Sequence, residues 1–242
     1  MSRIPIKLKN TSPVDVPLSI PVSPQLPSGL YYIPNFITQT ESETILSELA
    51  TNPNWVGVTV AENSRRVIHY GYLYSYTGGP LQPTEPIPCL YDSIRSRIGS
   101  LCSSTSSLCV FENPLTAFEN PFSTVEQEIQ TVTSPKFDQL IINKYLSGQG
   151  IASHIDHTTN FGPVIACLTL GSGVEIQFTR PKHESFKIYT EPNSLYIMSG
   201  DARYFWKHGI AQRKNDTVDG KIRPRGTRIS LTFRHAQPIP TF

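Results

Sequence analysis

The stretch QLIINKYLSGQGIASHID, residues 139–156, carries the clearest pattern in the chain. Its first part, from Gln139 to Tyr145, is a run of apolar and aromatic residues typical of a short β-strand. Glycines follow, and the second part ends in His154, Ile155 and Asp156. Side chains two residues apart on an extended backbone point to the same face, so this spacing brings one imidazole and one carboxylate together.

Short strand-like runs dominate the rest of the chain. Apolar, β-branched and aromatic residues form these runs, and Gly, Pro, Asn and Asp residues separate them. Because no helical segments intervene, the pattern favours a sandwich, jelly roll or barrel over a parallel α/β sheet. The further predicted strands span residues 165–170, 174–178, 186–189, 194–198 and 227–234.

Two short helices and an extended arm are predicted in the first half of the chain. Residues 40–43, Thr-Glu-Ser-Glu, form a capping-box pattern, and apolar residues at helical spacing then predict a helix over residues 41–50. The same spacing predicts a second helix over residues 90–101. Residues 1–30 hold six Pro, which predicts an N-terminal arm before an ordered domain over residues 31–242.

The composition limits the class of protein. The 242 residues, 38% hydrophobic and 17% charged, fit one large domain. No stretch approaches the ~20 continuous apolar residues of a membrane helix, and the N-terminus lacks the apolar core of a secretory signal. We therefore expect no membrane partner and a cytoplasmic or nuclear location. Four Cys without a Cys-x-x-Cys pair argue against a disulfide scaffold and a zinc ribbon.

Charge is distributed unevenly along the chain. The net charge is only +2, but residues 203–234 hold nine Lys or Arg against two Asp, which is +7 there and −5 elsewhere. Such asymmetry suggests an anionic partner near this segment. The alternative is that these basic residues only solvate loops.

A metal site is one interpretation of the His-x-Asp pattern. His154 and Asp156 would supply two ligands, and His208 is the candidate for the third. Two histidines and one carboxylate leave metal positions open for small ligands. His157 is a rival ligand, but three residues from His154 it falls on the opposite strand face. The alternative is a surface histidine at 154 and a histidine packed beside Trp206 at 208.

Polar side chains share faces on two predicted strands. Asn143 and Tyr145 lie on one face of the strand before the His-x-Asp pattern. Arg228, Ser230 and Arg234 lie on one face of the last strand, because their separations are even. The two arginine Cα atoms would be roughly 20 Å apart, which places one arginine at each end of a site. A buried arginine is costly unless it meets an anion, and an exposed pair on an edge strand is the alternative.

The order Asn-x-Tyr, His-x-Asp, His and Arg-x5-Arg resembles the AlkB family of iron- and 2-oxoglutarate-dependent dioxygenases. The resemblance covers about residues 30–235 and is closest to the tRNA-modifying branch, which in animals is fused to an RNA-recognition domain and a methyltransferase. It implies a mainly β fold with a double-stranded β-helix (jelly-roll) core over about 136–235 and flanking N-terminal helices. It also implies a nucleotide-recognition lid over about 60–80.

The resemblance assigns a role to each motif residue. It implies that the metal is Fe(II), held by His154, Asp156 and His208. It implies 2-oxoglutarate contacts from Asn143, Tyr145, Arg228, Ser230 and Arg234. The first of the two arginines would pair with the distal carboxylate, and the second would lie nearer to the metal. The implied reaction uses O₂, converts 2-oxoglutarate to succinate and CO₂, and oxidises a substrate C–H bond.

The resemblance also implies a nucleic-acid substrate, either RNA, notably tRNA, or alkylated single-stranded DNA, demethylated or hydroxylated on a base. The alternating tyrosines of residues 70–76 would stack on a base or, alternatively, pack on the second helix. The basic residues of the 213–225 loop would hold a phosphate backbone or, alternatively, only solvate it. The candidate substrate residues are Arg65, Arg66, Tyr70, Thr158, Arg203, Arg223 and Arg225.

Other functions stay open at this point. The same chemistry on a protein side chain has less need of the basic residues at 65–66 and 213–225. A catalytically silent nucleic-acid-binding domain would not need the complete triad, and a zinc hydrolase would leave Arg228 unexplained. We expect a monomer, and the chain has no room for the fused domains, which leaves a place for a separate RNA-binding partner.

Overall fold

A computed structural model describes residues 26–61, 64–76, 78–103, 136–183 and 185–237. The helices are α1 (Gln39–Thr51), α2 (Asp92–Ser103, after a 3₁₀ turn at Cys89–Tyr91) and α3 (Gly200–Tyr204). The strands are β1 (Leu30–Ile33), β2 (Val56–Gly57), β3 (Arg66–Tyr70), β4 (Tyr72–Leu73), β5 (Gln82–Pro83), β6 (Gln139–Tyr145), β7 (Ile151–His154), β8 (Phe161–Gly171), β9 (Val174–Thr179), β10 (Phe186–Thr190), β11 (Leu195–Met198), β12 (Lys207–Ile210), β13 (Asn215–Val218), β14 (Lys221–Pro224) and β15 (Arg228–Ala236).

Two antiparallel sheets form the body of the described chain. The larger has the strand order β1-β11-β8-β15-β6-β3-β2, and the smaller has the order β10-β9-β12-β7. Apolar side chains from both sheets pack together, with Cys167 and Tyr196 of the larger against Ile176 and Phe178 of the smaller. The prediction of a mainly β, jelly-roll fold is confirmed, and every strand predicted from the sequence is present. No helix in the described ranges is long and apolar enough to cross a membrane.

Helices α1 and α2 cover the other face of the larger sheet. Ile45 and Leu49 of α1 and Ile94 and Ile98 of α2 are buried in one core with Leu140 and other apolar residues of the sheet. The central strand β8 is therefore buried on both faces, which explains its almost continuous apolar run. The neighbouring strand β15 alternates, with its apolar residues in this core and its polar residues toward a cavity on the other face. Both predicted helices are present, and α1 is slightly longer than predicted.

The cap of α1 lies two residues before the predicted one. The Thr38 hydroxyl accepts a hydrogen bond from the Glu41 amide, and the Glu41 carboxylate accepts one from the Thr38 amide. The pattern Thr-x-x-Glu occurs twice in this stretch, at 38–41 and at 40–43. The earlier copy forms the capping box, because the backbone becomes helical from Gln39 onward.

Candidate active site

The two predicted metal histidines lie opposite each other on neighbouring strands. β7 and β12 pair with His154 directly across from His208, and the two ring centroids are 4.5 Å apart. The register shifts between His208 and Ile210, and a Cβ added at Gly209 would lie 2.9 Å from Ser153 Cα. The bulge and the missing side chain at Gly209 therefore allow the close approach that brings both imidazoles together.

Asp156 completes this group two residues after β7. Its Oδ1 lies 3.3 Å from His154 Nε2, and one possible ligand atom from each of the three side chains lies within 4.8 Å of the others. Within the described part of the chain, no other group of three His, Cys, Asp or Glu side chains meets this spacing. The three residues predicted from the sequence as metal ligands are thus brought together.

The surroundings of the two histidines suit metal binding. A carbonyl can only accept, so His154 Nδ1 donates to the Ala152 carbonyl at 2.8 Å, which leaves Nε2, the nitrogen that faces Asp156, to meet a metal. Burial lowers the pKa of His208 to about 4, although the Asp156 carboxylate opposes this effect. His208 is therefore neutral near pH 7, as metal ligation requires.

Arg234 holds the Asp156 carboxylate. Its Nε and Nη2 each lie 3.0 Å from Asp156 Oδ2, and its Nη1 donates to Gln139 Oε1 at 3.2 Å. Burial by itself would raise the pKa of Asp156, but the charge of the Arg234 guanidinium holds that pKa well below its usual range. One carboxylate oxygen is thus paired with Arg234, and the other faces the histidines. The arginine predicted to lie nearer the metal is at that end of the site.

Arg228, at the other end of β15, is buried without such a partner. Its Nη2 donates to Thr169 Oγ1 at 2.9 Å and its guanidinium lies 5.5 Å from the centre of the Tyr145 ring. Its Nε has no hydrogen-bond partner, and no carboxylate of the described residues pairs with it. A buried guanidinium with an unused donor beside a cavity is the group expected to bind a carboxylate ligand. These residues therefore fit the distal carboxylate of 2-oxoglutarate, as the histidines and Asp156 fit Fe(II).

The wall between the two arginines is polar. Ser230 of β15 pairs in register with Asn143 of β6, and Asn143 Nδ2 donates to Ser230 Oγ at 3.4 Å. Both residues line the same cavity as Arg228 and Tyr145. Thr169, which accepts the hydrogen bond from Arg228, was not predicted as a site residue. It is a polar residue within an otherwise apolar strand, and this feature of the sequence could have indicated its contact with a polar group.

Two residues that line the cavity, Cys167 and Tyr196, were also not predicted from the sequence. They face each other in the register of β8 and β11 and line the cavity. Burial and the neighbouring Cys167 raise the pKa of Tyr196, so its hydroxyl stays protonated near pH 7. Alternation within an apolar strand does not by itself tell which face borders a cavity, so these residues looked like ordinary core.

The cavity lies between the two sheets and opens beneath the predicted lid. Its volume is about 290 Å³, near the lower end for small-ligand sites, and the triad and Arg228 line it. Arg65, Tyr74 and Tyr76 line its opening, with Tyr76 44% exposed. Arg65 Nη1 donates to the Tyr145 hydroxyl at 3.0 Å, which links this opening to the polar wall.

Tyr70 does not face the cavity, which corrects its prediction as a substrate residue. It is buried in the helix-covered core beside Tyr91, and its hydroxyl accepts a hydrogen bond from Asn52. Gly71, with φ +76°, interrupts the strand directly after it, so Tyr70 is separated from the alternation of the later tyrosines. Among the alternating tyrosines of residues 70–76, Tyr74 and Tyr76 line the cavity.

Arg203 and Thr158 also differ from their predicted roles. Arg203 is 1% exposed, and its guanidinium donates to four backbone carbonyls, which leaves no group to meet a substrate from solvent. Thr158 is half-buried in the turn after the triad and is not among the residues that line the cavity. His157, its neighbour, does line the cavity.

Three arginines of the basic C-terminal segment pair with neighbouring acids. Arg225 is buried, and its Nε and Nη2 donate to the two Asp216 oxygens at 2.7 and 2.6 Å, so it is not a surface contact for a backbone. Arg213 pairs with both Asp216 and Glu175. Arg223 lies 3.4 Å from a Glu191 oxygen on the surface. These pairs reduce the positive charge that the three arginines present to a ligand, whereas Lys214 and Lys221 of the same loop are exposed.

Arg65, just before β3, and Arg66, its first residue, have side chains on opposite sides of the extended backbone. Arg65 borders the cavity, whereas Arg66 is exposed and lies opposite Lys144 in the register of β3 and β6. Only Arg65 of this pair can meet a ligand inside the cavity.

Comparison with known proteins agrees with this geometry. The chain matches the 2OG-Fe(II) oxygenase superfamily over residues 29–234. It is 47% identical over 109 residues to an uncharacterized protein, L905, of Acanthamoeba polyphaga mimivirus, which covers 44% of this chain and 52% of the viral protein. It is 29% identical over 237 residues to the tRNA (carboxymethyluridine(34)-5-O)-methyltransferase ALKBH8 of Mus musculus, which covers 89% of this chain and 31% of the mouse protein.

The chain thus spans about half of the viral relative and about a third of the mouse relative. Among solved structures, OsALKBH1 superposes with a TM-score of 0.57 at 18% identity, over 86% of this chain and 97% of that one, which supports the fold. The His-Asp-His group, the unpaired Arg228 and the match over most of the chain lead to one conclusion. The protein belongs to the 2OG-Fe(II) oxygenase superfamily, and its relatives include members of the AlkB family.

Proposed function

We propose that the protein is an Fe(II)- and 2-oxoglutarate-dependent dioxygenase that oxidatively demethylates or hydroxylates a modified base in nucleic acid. The observation that carries the chemistry is a buried arginine with an unused donor, Arg228, in the same cavity as the triad. A zinc hydrolase would have no use for that arginine, and a silent binding domain would need neither feature.

Each cavity residue has a definable task in this proposal. His154, Asp156 and His208 would hold Fe(II), and Arg228 would bind the distal carboxylate of 2-oxoglutarate, supported by Tyr145, Asn143 and Ser230. When bound, the iron and 2-oxoglutarate supply with O₂ the oxidising power that breaks a substrate C–H bond. Arg234 keeps Asp156 ionised and oriented.

Two observations support a nucleic-acid substrate. The names of relatives at 28–29% identity describe tRNA modification and the repair of alkylated DNA. The opening of the cavity presents Tyr76, with the Arg65 guanidinium 5.8 Å from its ring, and such aromatic and cationic surfaces stack on bases. We place the protein in the cytoplasm, the nucleus or both, acting as a monomer, with a separate partner supplying further RNA contacts.

Oxidation of a protein side chain is the second candidate function. It is favoured by the pairing of Arg213, Arg223 and Arg225 with acidic residues, because a nucleic-acid enzyme would be expected to leave such charges open.

Mass spectrometry of nucleosides tests the proposal. The protein is incubated with Fe(II), 2-oxoglutarate and either total tRNA or methylated DNA oligomers. Gain of one oxygen on a nucleoside indicates stable hydroxylation, and loss of CH₂ indicates dealkylation. Asp156→Ala is the matched control, and it should abolish both the nucleoside change and succinate formation. Succinate formation that persists in Asp156→Ala would contradict the triad, and unchanged nucleosides despite succinate formation would favour the protein-directed alternative.

A further inference from the structure

The segment that carries Asp156 lacks the support of a sheet. Residues 155–160 connect β7 to β8 without regular secondary structure, so their backbone carbonyls have no strand ladder to satisfy them. Buried carbonyls of this kind need another donor. The position of the proposed metal ligand Asp156 therefore depends on whatever fixes this connection.

Arg203 supplies donors to two carbonyls of this connection and to two at the start of β8. Its Nη1 donates to the Asp156 carbonyl at 2.8 Å, and its Nη2 donates to the carbonyls of His157 and Phe161 at 3.1 and 3.2 Å. Its Nε donates to the Gly162 carbonyl at 3.2 Å. One planar guanidinium thus bonds the backbone on both sides of residues 158–160.

The backbone around Arg203 is held in place by hydrogen bonds. It lies in the short helix α3, whose Ala202 amide donates to the Ser28 carbonyl at 2.9 Å, while the preceding Ser199 amide donates to the Gly29 carbonyl at 2.8 Å. The Tyr204 ring lies 5.0 Å from the guanidinium carbon. Hydrogen bonds to Ser28 and Gly29, just before β1, thus fix the position of α3. Arg203 therefore holds the Asp156 segment from a fixed point.

The contacts of Arg203 depend on the arrangement of its donors. In the described part of the chain, its hydrogen bonds are accepted by four neutral backbone carbonyls, where a carboxylate would be the usual partner. Its planar fork of donors is the property that the site uses, and a lysine ammonium of similar charge cannot reach four separate carbonyls. The arrangement of four carbonyls around one side chain therefore explains why an arginine occupies position 203.

From these contacts we infer that Arg203 is a positioning residue for the metal site, which holds the Asp156 segment in its ligating conformation before any metal binds. Arg203 touches neither substrate nor 2-oxoglutarate in this role. The inference rests on the proposed metal site, because it assumes that Asp156 is a ligand. Loss of such outer contacts to a ligand typically lowers metal affinity about 10- to 100-fold.

Metal titration of Arg203→Lys tests the inference without any turnover. Calorimetric titration with Mn(II) in the absence of 2-oxoglutarate should show affinity about 10- to 100-fold weaker than wild type. The absorption bands of bound Co(II) should also change, because Asp156 would no longer meet the metal at a fixed angle. The matched control is Arg225→Lys, the same change at another buried arginine, which should lower stability but leave Mn(II) affinity unchanged.

The possible outcomes separate the two levels of the proposal. Wild-type Mn(II) affinity in Arg203→Lys, or an equal loss in Arg225→Lys, would overturn the positioning role. Wild-type protein that binds no Mn(II) would contradict the metal site, and the inference would fail with it.

Hydrogen exchange on the wild-type protein gives a second test that needs no variant. The Asn160 and Phe161 amides donate to His157 within the segment, so their exchange reports its order. They should be equally protected with and without Mn(II), because Arg203 already orders the segment. Protection that develops only after Mn(II) is added would show that the metal does the ordering, and would overturn the inference.

Discussion

Two buried arginines three positions apart, Arg225 and Arg228, have opposite surroundings. Arg225 follows the β13–β14 hairpin and is closed by Asp216, which accepts two short hydrogen bonds from it. Arg228 begins β15, faces the cavity, and keeps a donor with no partner among the described residues. Both are almost fully buried, so burial alone does not distinguish a structural arginine from a ligand-binding one.

Whether such a buried arginine is structural or free to bind a ligand depends on whether an acidic side chain of the protein already pairs with it. A buried ion pair whose members satisfy each other has no capacity left for a ligand, whereas a buried cation left unpaired is retained at a cost in stability. Such a cost is expected at functional sites, where the missing partner is supplied by the ligand. The same distinction separates Arg234, closed by Asp156, from Arg228 on the same strand.

The largest effect is expected from breaking the closed pair. Asp216→Ala would leave Arg225 buried without a counter-ion, and it should lower the free energy of unfolding by about 3–5 kcal/mol. Burial would raise the pKa of Asp216, but its hydrogen bonds from Arg225 and Arg213 lower it below the usual 3.8. Its contribution should therefore be present above pH 3.8 and be lost as the pH falls through the lower folded pKa.

Urea unfolding of Asp216→Ala at pH 7 measures this loss. The affinity of the folded protein for 2-oxoglutarate should not change. A loss of less than about 1 kcal/mol, which is typical of exposed pairs, would mean that the Arg225 region is not the closed structural pair described above.

A smaller effect, on binding, is expected from Arg228→Ala. Removing one partner of a buried hydrogen-bonded charge pair costs about 2–5 kcal/mol, so 2-oxoglutarate affinity should fall roughly 30-fold or more. Stability should change little, since the arginine is unpaired in the protein alone. Calorimetric titration with 2-oxoglutarate in the presence of Mn(II) measures the effect, and Mn(II) affinity is the internal control. Equal losses of metal and 2-oxoglutarate affinity would contradict the assigned carboxylate contact.

The smallest effect is expected at the surface. Arg223→Ala should change the free energy of unfolding by less than about 1 kcal/mol, because its pair with Glu191 is exposed to solvent. If Arg223 exchanges Glu191 for a phosphate, the variant should also reduce the salt dependence of RNA binding by about one contact. Arg180→Ala, which breaks another surface pair with Asp201, is the matched control. An unaltered salt slope would remove Arg223 from the nucleic-acid interface.

The predicted site residues that the structure brings together have a simple common property. His154 and Asp156, or Arg228, Ser230 and Arg234, are related by even separations within one extended segment, so local geometry alone puts them on one face. The predictions for Tyr70, Arg203 and Arg225 were wrong for a different reason. Gly71 breaks the alternation after Tyr70, and the two arginines find their partners only after the chain has folded.

The strand-rich class, and the strand faces that polar residues share, follow from periodicity within single segments and could be read from the sequence. That His154 meets His208 across two strands, that Tyr76 and not Tyr70 borders the cavity, and which arginines pair with acids all depend on the folded chain. The sequence gives the charge and type of each residue. Whether a buried charge meets an acid, four carbonyls or an open cavity depends on contacts between distant segments, and those exist only in the fold.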